Sequence, residues 1–166
     1  LTTVGTAYTA TFTPTADTYT VYNSDSGLAQ VLINNAVTRN VQVNHAPTGT
    51  NATMTVLEDN TLTLAAAEFG FGDVDTSDTI SAVRIDTLPG AGTLKLSGSA
   101  VTAGQVITTA NIDIASLTFE TVPNANGAGY ASFTFSVRDP SSAFDVAPNT
   151  LTVNVTAVND APTATN

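Results

Sequence analysis

Apolar and polar residues alternate one by one through almost every segment of this chain. A period of two sends successive side chains to opposite faces of an extended strand, and it does not draw an apolar stripe along a helix. Residues 6–13 (TAYTATFT) place Tyr8, Ala10 and Phe12 on one face, and residues 28–33 (LAQVLI) and 36–43 (AVTRNVQV) also read as strands. Thr and Val dominate, and their β-branched side chains suit a pleated surface. The Leu, Glu, Lys, Arg and Gln that line long helices are scarce; Lys and Arg together number 4. These features point to an all-β fold.

Punctuation divides the chain. Asn44-His45-Ala46-Pro47-Thr48-Gly49 interrupts the alternation, since Pro47 fixes its own φ and restricts Ala46. Beyond it, strands are predicted at 52–57 (ATMTVL), 61–66 (TLTLAA), 79–86 (TISAVRID), 92–97 (GTLKLS), 116–121 (SLTFET), 130–138 (YASFTFSVR) and 149–158 (NTLTVNVTAV). About seven short strands at this spacing are the pattern of an immunoglobulin-like β-sandwich. Within 130–138, Ala131, Phe133, Phe135 and Val137 should face the core. Residues 109–116 (TANIDIAS) carry Thr and Asn suited to starting a helical turn. Gly90-Ala91-Gly92 reads as a hairpin turn.

The chain closes on Asn159-Asp160-Ala161-Pro162-Thr163, which matches residues 44–48 at every place but the second, 115 residues earlier. Such a mark is expected where one repeat ends and the next begins. The expected organisation is therefore a partial β domain over 1–43, a linker at 44–48, a sandwich over 49–158 and an exit linker at 159–166. Residues 1–43 are too few for a whole sandwich, and their open edge needs a cover, from the second domain or from another copy in a dimer.

The formal charge of −10 excludes nucleic acid and anionic membrane as natural partners and favours cations. Most of the acid lies in 44–166, which carries 12 acidic residues against Arg84, Lys95 and Arg138. With Cys absent, there is no disulfide framework, and a metal can take the stapling role. No apolar run is long enough to span a bilayer, and Leu1 does not open a signal peptide, so a targeting signal is expected elsewhere in a longer protein. Alternating strand directions bring the acids together. Asn44, the Asp73–Asp78 loop and the loop after Asp139 fall at one pole of the sandwich. The Glu58-Asp59 turn, the Asn124–Asn126 loop and Asn159-Asp160 fall at the other. In an extended segment Asp73 and Asp75 point the same way, which suits one calcium ion.

These segments carry a resemblance. "NHAPTGTNATMTVLEDNTLTL", "FGDVDTSDTI", "LTFETVPNANGAGYASFTFSVRD" and "NTLTVNVTAVNDAPTATN" resemble the cadherin-like, immunoglobulin-like repeats of large secreted bacterial adhesins of the RTX and tandem-repeat kind. Residues 5–17 (GTAYTATFTPTAD) are similar, over a shorter stretch, to the closing half of bacterial immunoglobulin-like repeats. The resemblance implies a Greek-key β-sandwich, Ca2+ at the interdomain junctions, neighbouring repeats as partners, and an extracellular or cell-surface role in adhesion and biofilm. Host-cell or matrix surfaces would be met by other domains. Carried onto this sequence, it implies calcium ligands at Asn44, Asp73, Asp75 and Asp139 for one junction, and at Glu58, Asp59, Asn159 and Asp160 for the other. The family's linker Asp, here Asp160, is His45 at the first junction. A lone linker His is expected to be exposed.

Catalytic constellations are missing from the sequence. A single His supplies neither a zinc pair nor a triad in a cleft, and the carboxylate pairs lack a Trp platform for sugars. The chain is expected to be no enzyme. The main alternative to a calcium-stiffened extender is a module that binds glycan or protein through its polar loops.

Overall fold

The structure is a computed structural model. It describes residues 44–160 apart from Ile114 and, before residue 44, the backbone of four strands. The chain forms two compact units, Leu1–His45 with Val74–Thr76, and Ala46–Asp73 with Ser77–Asn166.

In the first unit, β1 (Thr2–Thr3) pairs antiparallel with β2 (Thr6–Ala7). β3 (Leu28–Ile33) pairs antiparallel with β4 (Val37–Gln42), from Leu28 opposite Gln42 to Ile33 opposite Val37. The remainder of the strand expected at 6–13, and Val43, lie outside the described residues.

The second unit is all-β in character, with nine strands in two sheets among the described residues. These are β5 (Ala52–Leu57), β6 (Thr61–Thr63), β7 (Ala82–Ile85), β8 (Thr93–Leu96), β9 (Ser99–Ala100), β10 (Val106–Thr108), β11 (Leu117–Glu120), β12 (Gly127–Arg138) and β13 (Asn149–Thr156). One sheet has the order β10-β7-β12-β13-β5, the other β6-β11-β8-β9. A 3-10 turn at Ala66–Phe69 and helix α1 (Thr109–Asp113) complete the unit. Among the described residues no helix is long and apolar enough to cross a membrane.

The alternation explains the layers. In β12, Ala131, Phe133, Phe135 and Val137 are all at most 4% exposed, as their spacing predicts. They join Val83 and Ile85 of β7, Leu151, Val153 and Val155 of β13, and Leu94, Leu117 and Phe119 of the other sheet in one core. Both sheets therefore turn an apolar face to the same interior. Phe69, delivered by the 3-10 turn, sets its ring edge-on to Phe135 at 4.9 Å between centroids.

One local reading changes. The segments flanking Gly90–Gly92 do not form a hairpin, because β7 and β8 lie in different sheets. Gly92 has φ +70, and a Cβ there would stand 2.5 Å from the Phe119 ring and 2.6 Å from the Glu120 carbonyl oxygen. The glycine serves close backbone packing where the chain changes layer. The expected turn at Glu58-Asp59 is present and carries the chain from β5 in one sheet to β6 in the other. β5 then pairs parallel with the last strand, β13, from Ala52 opposite Leu151 to Leu57 opposite Thr156.

Candidate metal centre

Strand register builds the acidic pole. β12 runs antiparallel to β7, with Arg138 opposite Ala82. The residue leaving β12, Asp139, therefore lies beside the chain entering β7, three residues after Asp78 reaches Ser81. Ser81 locks this meeting. Its N–H donates to the Arg138 carbonyl at 2.8 Å and its hydroxyl to the Asp139 carbonyl at 2.6 Å. Asp73 arrives by another route: Thr48 and Gly72 exchange two backbone hydrogen bonds, both 2.8 Å, which pin the loop just ahead of it.

Asp73, Asp78 and Asp139 each offer a carboxylate oxygen, and these atoms lie within 4.8 Å of one another. Asp139 is fully buried and the other two are partly so. One Asp139 oxygen accepts the Ala143 N–H at 2.8 Å, while its own N–H donates to the Ala143 carbonyl at 3.0 Å. The carboxylate is thus oriented by its own loop. At such separations each pair of carboxylates repels by about 3 kcal/mol at an effective dielectric of about 20. An oxygen-only donor set of this kind is one that a hard divalent cation takes. It lacks the His and Cys that zinc prefers.

The other candidates are placed differently. The Asn44 side-chain amide donates to the His45 carbonyl at 3.1 Å. Asp75 is held by His45, whose N–H donates to Oδ2 at 2.7 Å and whose ring Nδ1 is 3.1 Å from Oδ1. The N–H donation, ahead of the ring contact, holds the Asp75 carboxyl below its ordinary pKa against the opposing effect of burial. His45 is not the exposed linker residue that its position predicts: its side chain is 12% exposed. A charged acceptor 30 residues away draws it in. The expectation that Asp73 and Asp75 serve one ion assumes an extended segment. Residues 74–77 instead form bends and a turn, and Asp78, three positions beyond Asp75, joins Asp73.

At the opposite pole Glu58 is 4% exposed. One of its oxygens accepts the Val158 N–H at 2.6 Å and the other the Asn126 amide at 2.9 Å. Asp59, at φ +60, accepts the Asn124 N–H at 3.0 Å. Asn159 and Asp160 are exposed, and the Asn159 amide lies 3.4 Å from the Asp160 carbonyl it donates to. Glu58 thus clasps the β5–β6 turn to the 122–126 loop and to the end of β13. The Asn126 amide first, then the Val158 N–H, hold its carboxyl below the ordinary value of 4.5. A lowered folded-state pKa gives stability that is present above the unfolded value and lost as pH falls through the folded one. Wild type should therefore lose stability on acidification from pH 6 to pH 3 more steeply than Glu58→Gln, measured by urea unfolding at each pH. Parallel curves would remove the clasp from the pH response.

Asp145, in the loop after β12, is a structural residue. It is 7% exposed, and its carboxylate accepts the N–H of Gly49 at 2.7 Å, the N–H of Ala147 at 2.9 Å and the Asn149 amide at 2.6 Å. An acid between the end of β12 and Pro148, just ahead of β13, is the signal the sequence offers. Set against known proteins, the chain matches no family model, no curated protein and no solved structure.

Proposed function

We propose that the second unit is a calcium-binding, immunoglobulin- or cadherin-like Greek-key repeat of a secreted bacterial adhesin, and that it acts as an extender rather than an enzyme. The observation that carries the calcium reading is the meeting of Asp73, Asp78 and Asp139 within 4.8 Å, with Asp139 fully buried. Two layered sheets sharing one core, with the first strand laid parallel to the last, support the sandwich reading. The twofold N-x-A-P-T mark supports a repeat array, and the resemblance in sequence supports an extracellular site of action.

Asp73, Asp78 and Asp139 would hold the ion. It would supply charge neutralisation and tie the 70–78 loop to the end of β12. Thr48 is bonded to that same loop, so a cation here stiffens the point where the leading linker meets the sandwich. In an extender this matters because a loose junction shortens the reach of whatever the array carries.

The test is thermal unfolding in chelator and in calcium at millimolar concentration. Extracellular modules bind calcium with Kd on the order of 10⁻⁴–10⁻³ M, so roughly 10 mM calcium adds about 2 kcal/mol to the folded side. The midpoint should rise by several degrees, and Asp73→Asn with Asp78→Asn should abolish the rise. An unchanged midpoint in wild type would sink the calcium reading.

A further inference from the structure

The two N-x-A-P-T segments differ only in their second residue, His45 in one and Asp160 in the other. Their local geometry agrees as far as it is described. In each, the Asn amide donates to the carbonyl of the residue that follows, Asn44 to His45 at 3.1 Å and Asn159 to Asp160 at 3.4 Å. The second position is therefore the same place in two copies of one device, filled once by a hydrogen-bond donor and once by an acid.

In the leading copy that donor has a defined task. His45 covers both oxygens of Asp75, with its backbone N–H on Oδ2 and its ring on Oδ1. Both side chains are largely shielded, at 12% and 14% exposed. With Asp at position 45 the backbone bond could persist, but the ring would be replaced by a second carboxylate facing Oδ1. Two shielded carboxylates in that position repel one another, and a cation between them would relieve that repulsion.

We propose that His45 is a built-in substitute for a divalent cation: it satisfies Asp75 with the protein's own donors, and an N-x-A-P-T linker carrying Asp at this position takes a metal ion there instead. Asp75 is accordingly no calcium ligand in this chain. The proposal does not depend on the Asp73–Asp78–Asp139 reading, because it concerns a different carboxylate with different partners.

Calcium stoichiometry by isothermal titration calorimetry on the full chain tests it. His45→Asp should bind one more calcium ion than wild type, and adding Asp75→Asn to that variant should remove the extra ion. In chelator His45→Asp should unfold at a lower temperature than wild type, with calcium restoring the midpoint. Equal stoichiometry for wild type and a folded His45→Asp would overturn the proposal. Asp75→Asn in the wild-type background gives a second test that does not need the new acid to be tolerated. It should leave the calcium count unchanged, and a loss of one ion would overturn the proposal. Should wild type bind no calcium, the three-aspartate reading fails, while one ion gained by His45→Asp still supports the role of His45.

Discussion

Phe135→Ala lowers the free energy of unfolding by about 3–5 kcal/mol, measured by chemical denaturation in chelator. Phe135 is fully buried in β12, the strand bonded to β7 on one side and β13 on the other. It lies opposite Ile85 and Asn149 in the two ladders and receives the edge of Phe69. Removing the ring loses its transfer energy and opens a cavity that two hydrogen-bonded neighbours hold open. Domains of this size are stable by roughly 5–15 kcal/mol, so the loss takes a large share of the total. Val146→Ala supplies the control. Val146 is 86% exposed, and its truncation should change stability by less than about 0.5 kcal/mol. A loss at Phe135 as small as that at Val146 would mean that β12 is not the centre of the core.

The strands were legible because alternation writes burial directly into sequence. The expected strand at 149–158 is observed as Asn149–Thr156, and that at 116–121 as Leu117–Glu120. The expected helical turn after residue 109 is observed as Thr109–Asp113. What alternation does not encode is the sheet to which a strand belongs. Gly90–Gly92 looks like a hairpin turn by composition, yet it passes between layers, as the Glu58-Asp59 turn also does. β9 and β10 are not legible in the sequence because Ser99–Ala100 and Val106–Thr108 are too short to show a period. The meeting of Asp73 with Asp139 followed from strand direction alone. The choice of Asp78 over Asp75 did not, since it depends on the turn at 74–77 and on a histidine that claims Asp75 first. Spacing can name the loops that converge. It does not name which carboxylates the local turns bring together.

Asp145 gives the sharpest case of that competition. By composition it is one more acid at a pole that already holds Asp73, Asp78 and Asp139, and so one more group for a cation to neutralise. In the fold its two oxygens receive three N–H donors, from Gly49, Ala147 and Asn149. The Gly49 bond spans 96 residues and ties the segment ahead of β5 to the loop that follows Asp139. Gly49 itself leaves no room for a side chain, since a Cβ there would stand 2.5 Å from the Asn149 amide. Asp145→Ala removes all three acceptor contacts and strands donors at a site 7% exposed. Hydrogen bonds to a charged group each contribute about 1.5–3 kcal/mol and do not add fully, so the expected loss is about 3–5 kcal/mol. Asp145→Asn should cost less, about 1–3 kcal/mol, because one oxygen survives for Gly49 and Asn149 while an amide faces the Ala147 N–H. Both losses should persist in chelator, since the donors are the protein's own. If calcium at millimolar concentration were instead needed to reveal the difference between wild type and Asp145→Ala, then Asp145 would be a metal ligand, and the loop after β12 would be organised by the ion rather than by Gly49.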